Sequence, residues 1–158
     1  MRHTISVLVE NKFGVLARIA GLFSARGFNI DSLAVGVTED PEVSRMTIVV
    51  NTKDERILEQ IKKQLNKLID VITVIDLTKR DFIGRELVLL KVSLEKIKKS
   101  TLLKLLKKLD GKIVKIASRQ AIVEVSAEQD DLKELLFKLK DAGLKELTRT
   151  GRIAISIN

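Results

Sequence analysis

The spacing of hydrophobic residues in the first half of the chain predicts strands and helices in the order β-α-β-β-α-β. Residues 3–10 alternate apolar and polar side chains, as in a strand with one buried face. From Val15 onward the apolar positions recur every three or four residues, which is the pattern of an amphipathic helix, and Gly27 ends that helix. A second strand is predicted over residues 30–38.

The remaining elements of the first half follow from the same kind of pattern. Residues 39–42 contain the only proline, in an Asp-Pro pair that favours a turn. Residues 44–51 read as a third strand, Asp54 begins a second amphipathic helix, and residues 71–77 read as a fourth strand.

The second half repeats this order. Strands are predicted over residues 86–94, 112–118 and 121–127, and a last one over residues 144–157 with a break near Gly151. Two helices between them have leucines at positions i, i+3, i+4 and i+7, namely Leu102, Leu105, Leu106 and Leu109, and then Leu132, Leu135, Leu136 and Leu139.

Both halves therefore predict one α+β architecture, two ferredoxin-like βαββαβ domains in tandem. The predicted domains are residues 1–78 and 86–158, joined by a polar linker at residues 79–85. Helices would cover one face of each sheet, and in the first half we expect the other face to be open and to present Ile30 or Leu33. An exposed sheet face or edge favours a partner. We therefore expect a homodimer formed by edge-to-edge pairing of the first-half sheets.

Composition narrows the function classes. The 158 residues are 45% hydrophobic and 32% charged, with no cysteine and a single histidine, so thiolate metal sites and cysteine nucleophiles are excluded. The usual metal, phosphate-loop and serine-hydrolase motifs are missing, and the acidic pairs at residues 54–55 and 130–131 fit the first turns of helices. We expect no catalytic site and no cofactor. Without a long apolar run or a secretory signal, we expect a cytoplasmic protein with no membrane partner.

The most distinctive stretch is residues 10–32, where a loop containing Gly14 opens the first helix. The N–H groups at a helix start have no partner within the helix and attract a carboxylate or phosphate. Asn29, before the second strand, has an amide that accepts and donates hydrogen bonds. These parts predict a site for a free amino acid. Explanations without a ligand stay open for each part as well. Gly14 would then form a turn, Asn11 would cap the helix, and residues 27–29 would be an ordinary connection between helix and strand.

The net charge of +8 is uneven, because residues 81–158 carry 17 basic and 11 acidic groups. Eight lysines crowd one region of this half: Lys96, Lys98, Lys99, Lys104, Lys107, Lys108, Lys112 and Lys115. Such a patch is either a solvated face or a surface for nucleic acid or an acidic protein.

RNA-recognition domains share the predicted fold, but they stack bases on aromatic residues of the sheet. The five phenylalanines here, Phe82 among them, fall on predicted loops and helices. A nucleic-acid-binding or transcription-regulating module is therefore the second hypothesis. A third, an acylphosphatase-like hydrolase, would need an arginine and an asparagine converging on phosphate, and Arg18 and Asn29 are poor candidates.

The stretch NKFGVLARIAGLFSARGFNIDSL, at residues 11–33, and the turn EDPEVSRMTI, at residues 39–48, resemble the regulatory (small) subunit of acetohydroxyacid synthase, also called acetolactate synthase. The resemblance continues through residues 59–65 and 68–71 and reaches residues 85–87. It covers essentially the whole chain, and it is specific in the first half and looser in the second.

The resemblance implies an ACT domain followed by a smaller C-terminal ferredoxin-like domain, in a chain with no catalytic role. Such subunits raise the activity of a separate catalytic large subunit, which contains thiamine diphosphate and flavin, and make it sensitive to feedback inhibition by valine. Two ACT domains pair side by side and hold the effector at their interface.

Carried over to this chain, the resemblance implies effector-binding residues Asn11, Gly14 and Asn29, with the backbone of Phe13, Val15 and Leu16 at the carboxylate end and Ile30 against the isopropyl group. Valine offers a carboxylate for the helix start, an ammonium for asparagine oxygens and a branched tail. If Asn11 and Asn29 came from opposing chains, effector binding would depend on the dimer. The preferred branched-chain amino acid stays open.

Overall fold

Nine strands and four α-helices follow one another along residues 2–158, the part of the chain that the computed structural model describes. In chain order they are β1 Arg2–Glu10, α1 Val15–Ser24, β2 Ile30–Val37, β3 Val43–Asn51, α2 Glu55–Leu65, β4 Val71–Asp76, β5 Phe82–Ser93, α3 Lys99–Lys107, β6 Lys112–Ala117, β7 Gln120–Ala127, α4 Gln129–Lys140, β8 Leu144–Arg149 and β9 Ile153–Ser156. The predicted order of two successive βαββαβ sets is confirmed.

The chain divides into two compact units. The first unit consists of the residues up to Ile83 together with Arg152–Asn158, and the second is Gly84–Gly151. Among the described residues no helix combines the length and the apolar character needed to cross a membrane.

The first unit is an antiparallel sheet in the order β2-β3-β1-β4, with α1 and α2 on one face. Its register places Val7 opposite Met46 on one side and Val74 on the other, so their side chains point to the same face. That face packs on the apolar stripes of the two helices and forms the core, which includes Ile5, Val7, Val9, Ile19, Phe23, Ile48, Leu58, Ile61 and Leu65.

The other face of the first sheet is covered, and the prediction of an open apolar face was wrong. The hydroxyl residues Thr4, Ser6 and Thr47 on that face are nearly fully buried. Arg152, just before β9, donates from Nη1 to Thr4 Oγ1 at 3.0 Å and from its backbone N to Ser32 Oγ at 2.8 Å.

Ile30 and Leu33 lie on the helix side of the first sheet and not on its other face. Both pack against the core, and Leu33 stands opposite the fully buried Ile48. A bulge explains why the sequence pattern misassigned them. Ile30 pairs with Val50 and Ser32 with the adjacent Val49, so Asp31 is an extra residue that breaks the alternation.

The second unit has the same architecture, with strand order β6-β7-β5-β8 and a leucine-rich core under α3 and α4. The first strand of this unit begins earlier than the sequence predicts. β5 begins at Phe82, inside the predicted linker, and Phe82 therefore lies on a strand and not on a loop.

The last predicted strand, residues 144–157, is broken near Gly151 as expected, and its second part, β9, pairs with β5. β8 ends at Arg149, Gly151 has a φ of 81°, and β9 belongs to the first unit, where Ile157 N donates to Asp81 O at 3.0 Å. Although β9 pairs with β5, residues 152–158 pack with the first unit; alternation identifies a strand without identifying the unit it packs with, which is why the pattern placed these residues in the second domain.

Candidate functional site

Helix α1 begins without any capping side chain. Gly14, its first flanking residue, has φ 82° in the left-handed region, and the first turn contains no acidic residue. The N–H of Val15 reaches Lys12 O only at 3.4 Å, and those of Leu16 and Ala17 have no acceptor among the described residues. The start of α1 therefore presents unpaired donors and the positive end of the helix dipole.

The second helix of the same unit shows the contrast. The side chain of Asp54 accepts a hydrogen bond from Arg56 N at 2.9 Å, and Glu55 adds a negative charge to the first turn. The start of α2 is therefore satisfied by its own residues, whereas the start of α1 can accept a carboxylate from outside.

Asn11 is tied to the loop between β2 and β3. Its backbone N donates to Glu42 O at 2.7 Å, and its side-chain Nδ2 donates to Pro41 O at 2.9 Å. The alternative in which Asn11 caps α1 is therefore wrong, because its amide points to the hairpin loop. Its Oδ1 is left as an acceptor on an exposed side chain.

The side chains around this terminus divide between core and solvent. Val15 is 3% exposed and belongs to the core, so only its backbone faces the helix start. Leu16 is 45% exposed and Phe13 is fully exposed. The structure thus brings Asn11, Phe13, Gly14, Val15 and Leu16 together at one corner, with apolar surface beside the unpaired donors.

Two cations lie close to the same corner, and both are paired. Lys12 contacts Glu10 at 2.9 Å, and the hydrogen bond to Glu10 together with its negative charge raises the pKa of Lys12. Arg18 forms an ion pair with the mostly buried Asp70, and a Cβ added at Gly14 would stand 3.8 Å from Arg18 Nη2. Sequence reasoning set Arg18 aside, although its position four residues after Gly14 places it on the same face of α1.

Asn29 and Ile30 lie at the other end of α1. Asn29 is exposed, and its Nδ2 donates to Asp31 Oδ1 at 2.9 Å. Ile30 is half-buried against the core of its own unit. α1 has ten residues, a length of about 15 Å, so within one chain a single amino acid cannot contact both Asn11 and Asn29.

The lysine-rich region of the second unit is largely solvated and partly neutralised. Lys112 pairs with Glu124 at 2.9 Å, and Lys104 and Lys107 lie in the last turn of α3, where they complement the helix dipole. No strand segment of this unit, within the described residues, carries an aromatic side chain. The described strands of this unit therefore offer no aromatic platform of the kind on which RNA-recognition domains stack bases. The described residues also contain no group of three or more side chains suited to a metal ion.

Two families match almost the whole chain between them. Residues 5–73 match the family described as AHAS small subunit-like ACT domain, and residues 85–158 match the family described as small subunit of acetolactate synthase.

Individual relatives agree with these matches. The chain is 46% identical to a probable acetolactate synthase small subunit from Archaeoglobus fulgidus, over 98% of this chain and 96% of that protein. It is 43% identical to an acetolactate synthase small subunit from Mycolicibacterium smegmatis, over 98% and 90% of the two chains. A crystal structure of an acetolactate synthase small subunit from Thermotoga maritima superposes with a TM-score of 0.88, at 34% identity, over 99% of this chain and 97% of that one.

Proposed function

The chain belongs to the family of acetolactate synthase small subunits, and from that premise we propose that it senses valine, or a related branched-chain amino acid, for a catalytic large subunit in the cytoplasm. As a small subunit with an ACT domain it is a regulatory chain and not the catalytic one. The proposal adds that it activates the large subunit and makes the activity sensitive to valine.

One observation carries the proposal: the uncapped start of α1. A free amino acid supplies the carboxylate that this terminus lacks, and the N–H groups of Leu16 and Ala17 are the donors available to it. The exposed side chain of Leu16 lies beside these donors and suits a branched apolar tail.

The ammonium group of the ligand needs a second chain. β2 is an edge strand of the first sheet, and Val35 and Val37 on it are about half exposed. If two copies pair through this edge about a two-fold axis, the two β2 strands run antiparallel. The start of β2 in one copy then lies beside the end of β2 in the other.

This pairing brings the two asparagines together. Asn29 directly precedes β2, and the loop that follows β2 holds Asn11 through Pro41 and Glu42. Antiparallel edge pairing therefore places Asn29 of one copy near Asn11 of the other, and a ligand between them would contact both amides. Ile30 would adjoin the same junction.

Regulation follows from linkage. A ligand that binds only the paired arrangement stabilises that arrangement, by an amount that grows with the ratio of the ligand concentration to its dissociation constant. We propose that the large subunit responds to the shift between paired geometries, so that valine at the junction lowers its activity.

Two measurements test the function. Calorimetry with L-valine should show saturable binding to the purified chain. One site is expected at each junction between Asn29 of one copy and Asn11 of the other. Mixing the chain with the catalytic large subunit should raise acetolactate synthesis, and valine should reverse the increase. No heat at millimolar valine, or activation that valine does not affect, would overturn the proposal.

A further inference from the structure

The side-chain amide of Asn29 is engaged by Asp31, and this contact bears on which chemical group the proposed effector site would accept. The inference rests on the proposed function, because it concerns the ligand of the same site. It starts from one contact, the hydrogen bond of 2.9 Å between Asn29 Nδ2 and Asp31 Oδ1.

A carboxylate only accepts hydrogen bonds, whereas an asparagine amide has one donor end and one acceptor end. The donor end of Asn29 must therefore face Asp31, which leaves Oδ1 as the end offered to a ligand. The same reasoning applies to Asn11, whose Nδ2 donates to the carbonyl of Pro41. Both amides thus present oxygen, and two oxygens suit an ammonium group and repel a carboxylate.

Asp31 is itself held in place. Its Oδ2 lies 3.5 Å from Arg2 Nε, so each carboxylate oxygen has a different partner. Asp31 is also the extra residue of the bulge in β2, between Ile30 and Ser32. Bulges redirect a side chain at functional sites, and this one puts Asp31 within reach of Asn29.

We propose that Asp31 is a positioning residue that holds the Asn29 amide with its oxygen toward the ligand and thereby makes the effector site selective for a primary ammonium group. Asn11 is oriented by a backbone carbonyl, so side-chain substitution cannot release it. Asn29 is oriented by a side chain, and its orientation can be released by one substitution.

The test compares two ligands that differ in one group: L-valine, and 3-methylbutanoate, which has the same branched carboxylate skeleton without the amine. The wild-type chain should bind L-valine more than about tenfold tighter, since a charge-assisted hydrogen bond is lost with the amine. In Asp31→Ala the Asn29 amide must be immobilised by the ligand itself. L-Valine should therefore bind about two- to tenfold more weakly, with 3-methylbutanoate little changed.

Asp31→Asn separates orientation from charge. It keeps an acceptor oxygen for Asn29 and removes the negative charge, so it should recover most of the preference for L-valine. Arg2→Ala should have a smaller effect than Asp31→Ala. Glu134→Ala, an exposed acidic residue of the second unit that pairs with Lys138, controls for the change in net charge and should bind like the wild type.

The outcomes separate the two proposals. If the wild-type chain binds L-valine but Asp31→Ala keeps the full preference for it, the role of Asp31 is overturned and the proposed function stands. If Asp31→Asn and Asp31→Ala lose the preference equally, Asp31 acts through its charge and positioning is overturned. If the wild-type chain does not bind L-valine, the proposed function fails and this inference with it. Thermal unfolding of each variant shows that a lost preference is not lost folding, because instability would weaken both ligands together.

Discussion

The first helices of the two units, α1 and α3, occupy the same place in the same topology and differ in chemistry. α1 follows a left-handed glycine, with no charged residue in its first turn before Arg18. α3 follows Lys98 in extended conformation and starts with Lys99, so cations already surround its N-terminus. Residues 84–151 contain no asparagine at all. A shared fold therefore does not imply a shared site. Of the two units, only the first has the glycine-led helix start and the asparagines that the proposed amino-acid site requires.

The sheets differ as well. On the side away from its helices, the first sheet buries hydroxyl side chains and binds Arg152. The corresponding side of the second sheet carries ion pairs in register, Lys91 with Glu146 and Lys112 with Glu124. A face lined with such pairs is compatible with solvent, whereas a buried hydroxyl needs a partner. Four substitutions test this comparison between the units.

The largest effect is expected from Gly14→Asp. The new carboxylate would stand at the place proposed for the ligand carboxylate, on a backbone with positive φ that costs a non-glycine residue about 1–2 kcal/mol. Valine affinity should fall by more than about 3 kcal/mol, beyond the loss of one charged hydrogen bond. Calorimetry measures it. Lys98→Asp at the start of α3 is the matched control and should leave valine binding intact; normal binding by Gly14→Asp would contradict the anion site.

Asn29→Ala should have the next largest effect. It removes the acceptor proposed for the ligand ammonium and should cost roughly 1.5–3 kcal/mol of valine affinity, with little effect on stability because the side chain is exposed. Asn66→Ala, at the exposed end of α2, serves as the control for losing an asparagine. Equal binding by both variants would show that Asn29 is not part of the site, even if the chain still binds valine.

Arg152→Ala tests the covered face of the first sheet. Thr4 Oγ1 is nearly fully buried and would lose the donor at 3.0 Å, which should lower the free energy of unfolding by about 1–3 kcal/mol. Urea unfolding measures it, with Lys145→Ala on the exposed edge of the second unit as control. A variant as stable as this control would mean that the hydrogen bond contributes nothing to the first unit.

The smallest effect is expected on the second sheet. The hydrogen bond and positive charge of Lys91 lower the pKa of Glu146 below its ordinary value. A carboxyl with a lowered folded pKa stabilises the fold above its unfolded pKa, and this contribution is lost as the pH falls through the folded pKa. Both groups are solvent-screened, so the loss should be slight. The urea midpoint of the wild type should exceed that of Glu146→Gln at neutral pH, and the difference should shrink as the pH falls. A difference that does not change with pH would show that this ion pair does not contribute to stability.

Much of the fold was predictable because secondary structure follows from local spacing. Alternating apolar and polar side chains predicted β1, and apolar positions that recur every three or four residues predicted α1 and α2. Asp54 was correctly identified as the start of α2. The loop at Gly14 was also visible, since few residues other than glycine adopt its left-handed backbone. The second half was predictable to the same degree, as far as the end of β8.

Three features depended on the folded chain. The packing of residues 152–158 with the first unit was not visible, because it depends on contacts such as the one between Arg152 and Thr4, far apart in the chain. The bulge at Asp31 was not visible, because an extra residue changes the face of its neighbours without changing the composition. The orientation of the asparagine amides was not visible either, since it depends on Pro41 and Asp31 as acceptors.

The sequence alone thus determined the type and order of the elements and the glycine loop that opens α1, because these depend on residues within a few positions of one another. Tertiary structure decided which unit residues 152–158 pack with, which face of the first sheet was covered, and that the Asn11 side chain engages the loop between β2 and β3. Those outcomes depend on contacts between residues distant in the chain, and such contacts form only when the backbone folds back on itself.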